Sequence, residues 1–150
     1  KVIRIDGSLF YGAVGYLTEK LREIEREDPE QTHMAIIATG INFIDIAGAE
    51  LLVQEALRRK ARGGGLYLIG AKAQVRKFLA RGGYLEELGE ENLFPTKSVA
   101  IQALVRRLDP GICRGCPRAV FQECPAADER DVPITVTGPE QVAEGSPQPA

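Results

Sequence analysis

The stretch that organises the fold is MAIIATGINFIDIAGAELL, residues 34–52. It opens with an apolar run at residues 34–38 that ends at Thr39-Gly40, which predicts a buried strand. After a polar break, apolar residues recur at helical spacing and predict a helix over residues 46–61. A strand that leads directly into an amphipathic helix is half of a β–α–β unit, so this stretch indicates an α/β protein.

The same alternation runs through the first 108 residues. Strands are predicted at residues 1–6, with one solvated face, at 66–69 and at 93–94. Amphipathic helices are predicted from about residue 17 to Asp28-Pro29, over 72–81 and over 96–108, and the glycine-rich residues 7–15 are predicted to be a loop. Such an order favours right-handed crossovers and a small α/β sandwich, with a mostly parallel sheet and helices packed mainly on one face.

The composition indicates one domain followed by a different kind of segment. The chain has 150 residues, of which 44% are hydrophobic and 27% charged, and its net charge of −2 argues against a nucleic-acid binder. The first 108 residues hold sixteen basic and fourteen acidic side chains, whereas the last 42 hold three and seven. Those 42 residues also contain all three cysteines and seven of the nine prolines. We therefore predict a domain at 1–108, a cysteine-containing extension at 109–125 and a disordered, flexible tail at 126–150.

Targeting signals are not evident in the sequence. No window approaches the roughly 18 consecutive apolar residues of a spanning helix, and no signal-peptide pattern opens the chain. The first residue is Lys1, inside a predicted strand, so we expect the sequence to be a piece of a longer protein.

Motifs of catalysis are also not found. The single histidine, His33, lies in a predicted polar turn and is interpreted as solvated. No Gly-x-Ser-x-Gly elbow, Gly-Lys-Ser phosphate loop or His-Glu-x-x-His helix is present. Gly63-Gly64-Gly65 precedes a strand, so it is interpreted as the end of a helix and not as a dinucleotide-binding loop. Glutamates between residues 86 and 91, and helical basic residues such as Arg58-Arg59-Lys60, are interpreted as solvated faces. The sequence therefore favours a protein that is not an enzyme.

Two loops are the candidate binding elements. Asp45 stands just before a predicted helix, where its carboxylate is expected to cap the first turn. The alternative is that this helix start faces an anion or a partner protein, although the carboxylate would compete with an anion. Phe10 and Tyr11, followed by Gly12, are either exposed anchors for a partner or caps on the sheet edge. Both loops follow predicted strands, so we expect them at the same end of the sheet.

Several segments together resemble a known family. INFIDIAGAELL, residues 41–52, is similar to the signature loop of STAS domains, the sulfate-transporter and anti-sigma-factor-antagonist domains. The resemblance continues through GGLYL at 64–68, VRKFL at 75–79 and NLFPTKSVAI at 92–101. LFYGA at 9–13 resembles the opening loop of the cytoplasmic domain of SulP-family anion permeases. These segments cover most of residues 1–108.

The resemblance implies a STAS-like fold and a function without catalysis. It implies the C-terminal regulatory domain of a SulP-type transporter of sulfate-like inorganic anions, at the cytoplasmic face of the inner membrane. Its partner would be the transmembrane transport domain of the same polypeptide. Further partners would be a second copy of the domain or a cytosolic regulator protein. The candidate binding residues are then Phe10, Tyr11, Gly12, Asp45, Ile46, Ala47 and Gly48.

One departure separates the two branches of the family. The antagonist branch carries Asp-x-Ser-Gly, with a serine that is phosphorylated to switch partner binding, and Ala47 stands at that position here. This difference favours the transporter branch. The alternatives are a stand-alone antagonist-like protein without the phosphoserine, and a metal-sensing or redox module.

The hypothesis of a metal-sensing or redox module depends on the three cysteines. Cys113 and Cys116, two residues apart in a C-x-x-C pair, and Cys124 further on could ligate zinc or an iron–sulfur cluster, although no histidine lies near to complete the set. Free thiols and a disulfide or redox switch are the other readings, and a reducing cytoplasm favours the thiols. A resident cofactor is therefore not expected.

Overall fold

The computed structural model describes residues 1–109, 111, 121 and 124. Within these residues, four parallel strands form one sheet in the order β1-β2-β3-β4: β1 is Val2–Asp6, β2 is His33–Gly40, β3 is Gly65–Ile69 and β4 is Leu93–Phe94. The helices are α1 (Tyr11–Glu27), α2 (Ile46–Lys60), α3 (Ala73–Arg81), α4 (Tyr84–Leu88) and α5 (Lys97–Val105), with a 3-10 turn at Glu90–Asn92. The predicted α/β class and parallel sheet are confirmed.

The sheet separates a large core from a small one. Because successive side chains of a strand point to opposite faces, Met34, Ile36 and Ala38 of β2 enter the large core. Ala35 enters the small one. The large core is completed by buried side chains of four helices: Leu21, Leu52, Leu79 and Leu88. Among the helices of the described residues, only α5, through Ala100, packs on the other face. The prediction that helices lie mainly on one face is therefore confirmed, with α5 as the exception.

Two helical segments differ from the prediction. Residues 7–15 were expected to be a loop, but α1 already begins at Tyr11. No side chain of its own segment caps this helix. Its first amide is bonded instead by a carboxylate from a distant loop, so the local sequence carries no start signal. The short α4 was not predicted, because its five residues lie between Gly83 and Gly89, both with positive φ, and give no periodicity.

Two residues interpreted as solvated are not. Arg59 is only 2% exposed, and its Nε donates to Oε1 of the buried Glu55 over 2.6 Å. Its Nη1 donates to the carbonyl of Gln31 over 3.1 Å, so the guanidinium joins α2 to the turn before β2. His33 begins β2 and is half-buried, with Nδ1 2.8 Å from the hydroxyl of Tyr67. Each forms a contact across elements that helical or turn periodicity does not encode.

The remaining predictions concern the end of the chain. The disordered tail at 126–150 and most of the extension at 109–125, including Cys113 and Cys116, lie outside the described residues. Of the helices within the described part, none has the length and apolar character needed to cross a membrane.

Candidate interaction surface

The two candidate loops are joined at the carboxyl end of the sheet. The amide of Leu9 donates to the carbonyl of Phe43 over 2.9 Å, and the amide of Asp45 donates to the carbonyl of Leu9 over 3.0 Å. The side chains of Leu9 and Ile44, which stand opposite each other, are both buried. The loop after β1 and the loop after β2 therefore form one unit. We call residues 9–12 and 43–48 the loop junction.

A single carboxylate begins two helices in this junction. Oδ1 of Asp45 accepts from the amide of Gly48 over 2.9 Å, which is the predicted N-cap of α2. Oδ2 accepts from the amide of Tyr11 over 3.0 Å, at the start of α1. Hydrogen bonds from these two amides, with the larger effect from Gly48, hold the pKa of the Asp45 carboxyl below its ordinary value of 3.8. Asp45 is therefore ionised at neutral pH, and it already occupies the amides that an anion would need.

Gly48 allows the two loops to approach closely. A Cβ at this position would lie 2.5 Å from the carbonyl oxygen of Leu9 and 2.9 Å from its carbonyl carbon. Ordinary contact requires at least 3.4 Å, so any larger residue would displace the loop. Gly12 has a similar role at the surface, where a Cβ would lie 2.7 Å from the ring of Phe10. Glycine thus lets the Phe10 ring lie beside the start of α1.

Large apolar side chains project from this closed junction into solvent. Tyr11 is 83% exposed, Ile46 60%, Phe43 53% and Phe10 46%. We call these four side chains the junction surface. Single exposed apolar residues are common, whereas these four are grouped on two loops that shared hydrogen bonds hold together. Phe10 and Tyr11 are thus exposed to solvent rather than covered at the sheet edge.

The structure brings together all seven predicted binding residues in the loop junction. Ile46 is exposed, whereas Ala47 is half-buried and Gly48 is buried against Leu9. Phe43 was missed by the sequence analysis. It lies in the irregular segment between β2 and α2, where periodicity gives no signal of exposure.

A groove between α1 and α2 leads away from the junction. Its volume is about 370 Å³, and Tyr11 and Ala47 lie at one end. The other end reaches Arg58, whose guanidinium is paired with Glu25 and Glu55. Burial is the main cause that lowers the pKa of Arg58, and the charges of nearby arginines lower it further. Arg58 nevertheless stays a cation between two carboxylates. The groove thus ends at an arginine whose charge is already paired with carboxylates.

The metal and redox hypothesis concerns cysteines that lie mostly outside the described residues. No group of three or more histidine, cysteine or acidic side chains there could hold a metal ion. Cys124 is half-buried with a free thiol, and Cys113 and Cys116 lie outside the described residues. A zinc or iron–sulfur site at the three cysteines therefore stays an alternative hypothesis.

Comparisons with known proteins agree with this architecture. A relative named "Probable sulfate transporter 4.2", from Arabidopsis thaliana, is 27% identical over 114 residues, which are 69% of this chain. The chain spans only 17% of the length of that relative. A sulfate transporter family protein from Wolinella succinogenes has the same fold, with a TM-score of 0.61, 24% identity, and coverage of 71% of this chain and 85% of that one.

The fold is shared with proteins of the other branch as well. The anti-sigma factor antagonist SpoIIAA, in its unphosphorylated form, matches with a TM-score of 0.58 and 21% identity over 72% of this chain and 90% of that one. Fold alone therefore does not separate transporter domains from antagonists. The sequence profile of the STAS domain matches residues 1–100, two thirds of the chain. The chain accordingly belongs to the STAS domain family.

Proposed function

We propose that this chain is the non-catalytic regulatory and interaction domain of a SulP-type transporter of inorganic anions. In this proposal it is attached to the transmembrane transport domain of the same polypeptide and lies at the cytoplasmic face of the inner membrane. The observation that carries the proposal is the junction surface, in which four exposed apolar side chains are held on two loops closed by shared hydrogen bonds. A second copy and a cytosolic regulator stay predictions for further partners.

The geometry suits docking because the anchors are held in place before a partner arrives. Tyr11 and Ile46 are the first residues of α1 and α2, and Asp45 bonds the start of both helices. Ordering a flexible loop on binding costs free energy, and that cost is small here. Complete burial of one such side chain contributes about 1.5–3 kcal/mol. Four of them can sustain a specific contact after the cost of association is met.

The same site offers little to a reaction. Both oxygens of Asp45 accept backbone amides, and His33 is bonded to Tyr67 in another part of the domain. Ala47 has no hydroxyl to phosphorylate, which favours the transporter branch over the antagonist branch. The sequence relative, a probable sulfate transporter, supports the same choice.

The test is anion uptake by the protein as it occurs in its own cell. Tyr11→Glu together with Ile46→Glu places two charges in the docking contact, and we expect sulfate uptake to fall at least about tenfold, since a buried unpaired charge costs several kcal/mol. Tyr16→Glu together with Leu57→Glu is the matched control. Tyr16 and Leu57 are 69% and 51% exposed on the same two helices, outside the junction.

Membrane fractionation completes the test. We expect the wild-type protein and both variants in the membrane fraction, with the control transporting normally. Uptake that is unchanged in the Tyr11/Ile46 variant, or lowered equally in the control, would contradict the proposal. A wild-type protein found only in the soluble fraction would instead favour the stand-alone antagonist reading.

A further inference from the structure

The helix beside the loop junction is uniformly basic. Residues 70–83, which comprise α3 and its flanking turns, contain four basic residues and no acidic one. Arg76 and Lys77 are both exposed on α3, and Lys97, the exposed first residue of α5, follows the neighbouring strand β4. We call Arg76, Lys77 and Lys97 the basic rim.

Hydrogen bonds join the helix that carries Arg76 and Lys77 to the loop that leads into the junction. Lys72, at the start of α3, donates through Nζ to Oδ1 of Asn42 in the loop after β2. Gln74 donates through Nε2 to the carbonyl of the same Asn42 over 2.9 Å. On the other side, the amide of Gly70 donates to the carbonyl of Phe94 over 2.8 Å, next to the turn that leads to Lys97. The basic rim and the junction surface therefore belong to the same end of the domain.

Acidic side chains at this end are neutralised or few. Asp6, at the end of β1, is paired with Arg4 over 2.9 Å, and Asp45 is bonded to two amides. Glu50, in the second turn of α2, is exposed and is the acid nearest to the junction in sequence. Most other exposed acids lie at the opposite end, where α1 finishes and where α4 and the 3-10 turn lie: Glu27, Glu30, Glu86, Glu87, Glu90 and Glu91. That end also carries exposed cations, among them Arg26, Lys60 and Arg106, so its charges are mixed.

We propose that the basic rim binds the anionic headgroups of the bilayer while the adjacent junction surface contacts the transport domain. This inference rests on the proposed function, because only a domain held beneath a membrane meets a lipid surface. The charges are complementary, because the rim presents three exposed cations and anionic lipids attract such clusters.

The long basic side chains suit this role. Arginine and lysine can extend their charged ends to a surface while their stems lie along the protein. Each basic residue near an anionic bilayer strengthens binding about fivefold, so three of them supply on the order of 100-fold. The interaction acts over about one Debye length, roughly 10 Å at 0.1 M salt, and is suppressed at high salt.

Vesicle flotation with the 150-residue chain tests the proposal. The probes are vesicles of pure phosphatidylcholine and vesicles of phosphatidylcholine with phosphatidylserine. The variant Arg76→Gln/Lys77→Gln/Lys97→Gln removes the rim. The matched control, Arg26→Gln/Lys60→Gln/Arg106→Gln, removes three exposed cations from the ends of α1, α2 and α5, at the opposite end of the sheet. Both variants have the same net charge.

We expect the wild-type chain and the control to bind the phosphatidylserine vesicles, and binding to disappear in 1 M salt, where the Debye length is roughly 3 Å. We expect the rim variant to bind on the order of 100-fold more weakly. Equal binding to both vesicle types, equal losses in both variants, or no binding by the wild type would overturn the lipid proposal. The uptake test above does not use these residues, so the proposed function can fail or stand separately.

Discussion

The substitution Gly48→Ala tests whether the loop junction is held by close contact of its two loops. The new methyl group would lie 2.5 Å from the carbonyl oxygen of Leu9, so the atoms must separate by about 0.9 Å to reach ordinary contact. Leu9 has little freedom to move, because its side chain is buried and its amide and carbonyl are both bonded to the other loop. The strain must therefore be taken up by the junction itself.

The magnitude follows from opposing contributions. Overpacking of this kind costs about 1–3 kcal/mol, and weakening one of the hydrogen bonds of Leu9 adds about 1 kcal/mol. Alanine favours a helix over glycine by at most about 1 kcal/mol, and Gly48 lies in the first turn of α2, where the gain is smaller. The net loss in the free energy of unfolding is about 2 kcal/mol. For a domain of this size that corresponds to a fall in Tm of about 10 °C.

Gly15→Ala is the matched control, since it makes the same chemical change in α1. A Cβ at Gly15 meets nothing within 4 Å, and the residue is exposed. We expect this variant to gain about 0.5–1 kcal/mol, because alanine is the better helix former. Urea denaturation followed by circular dichroism gives both values. A Gly48→Ala variant as stable as Gly15→Ala would refute the close contact and with it the rigid junction.

Three further substitutions test other contacts. Arg59→Met should lower the free energy of unfolding, measured by urea denaturation, by about 3 kcal/mol, because it leaves the buried Glu55 without one of its partners. Arg4→Met, which breaks an exposed pair, should change it by less than about 0.5 kcal/mol. Equal effects would refute the contribution of the buried pair. Leu79→Ala should cost about 2–5 kcal/mol, since Leu79 is fully buried in the large core, and a smaller loss would place it outside that core. Asp45→Asn should reduce the acid sensitivity of stability: a carboxyl whose pKa is lowered by folding contributes above its ordinary value of 3.8, and the contribution is lost as the pH falls through the folded-state pKa. Thermal melts at several pH values from about 2 to about 7 measure this difference in acid sensitivity. Parallel pH profiles of the two proteins would contradict the role of the carboxylate.

Local patterns predicted the strands and most helices of this domain. The apolar run at β2 is buried on both faces, so it stands out in the sequence, and α2 carries its own N-cap in Asp45. The start of α1 could not be predicted in the same way. Its cap is Oδ2 of Asp45, thirty-four residues away in sequence, and Gly12 and Gly15 made the segment look like a loop.

The candidate site was predictable in position but not in detail. Parallel strands place their following loops at one end of a sheet, so the meeting of the loops at Phe10 and Asp45 followed from the strand pattern alone. The double cap and the packing of Gly48 on Leu9 depend on the register between the two loops, which single-sequence periodicity does not contain. The burial of Arg59 was missed for the same reason, since its partners lie on other elements as well as on α2.

Photo-crosslinking from the junction surface tests the central claim most directly. A photoreactive amino acid in place of Tyr11 is compared with the same amino acid in place of Tyr16, in intact membranes of cells that make the natural protein. We predict that position 11 forms a crosslink to a membrane-embedded transport domain, identified by mass spectrometry, and that position 16 does not. Crosslinks from position 11 to soluble proteins alone, or equal crosslinking from both positions, would contradict the proposal that this surface docks the domain onto an anion transporter.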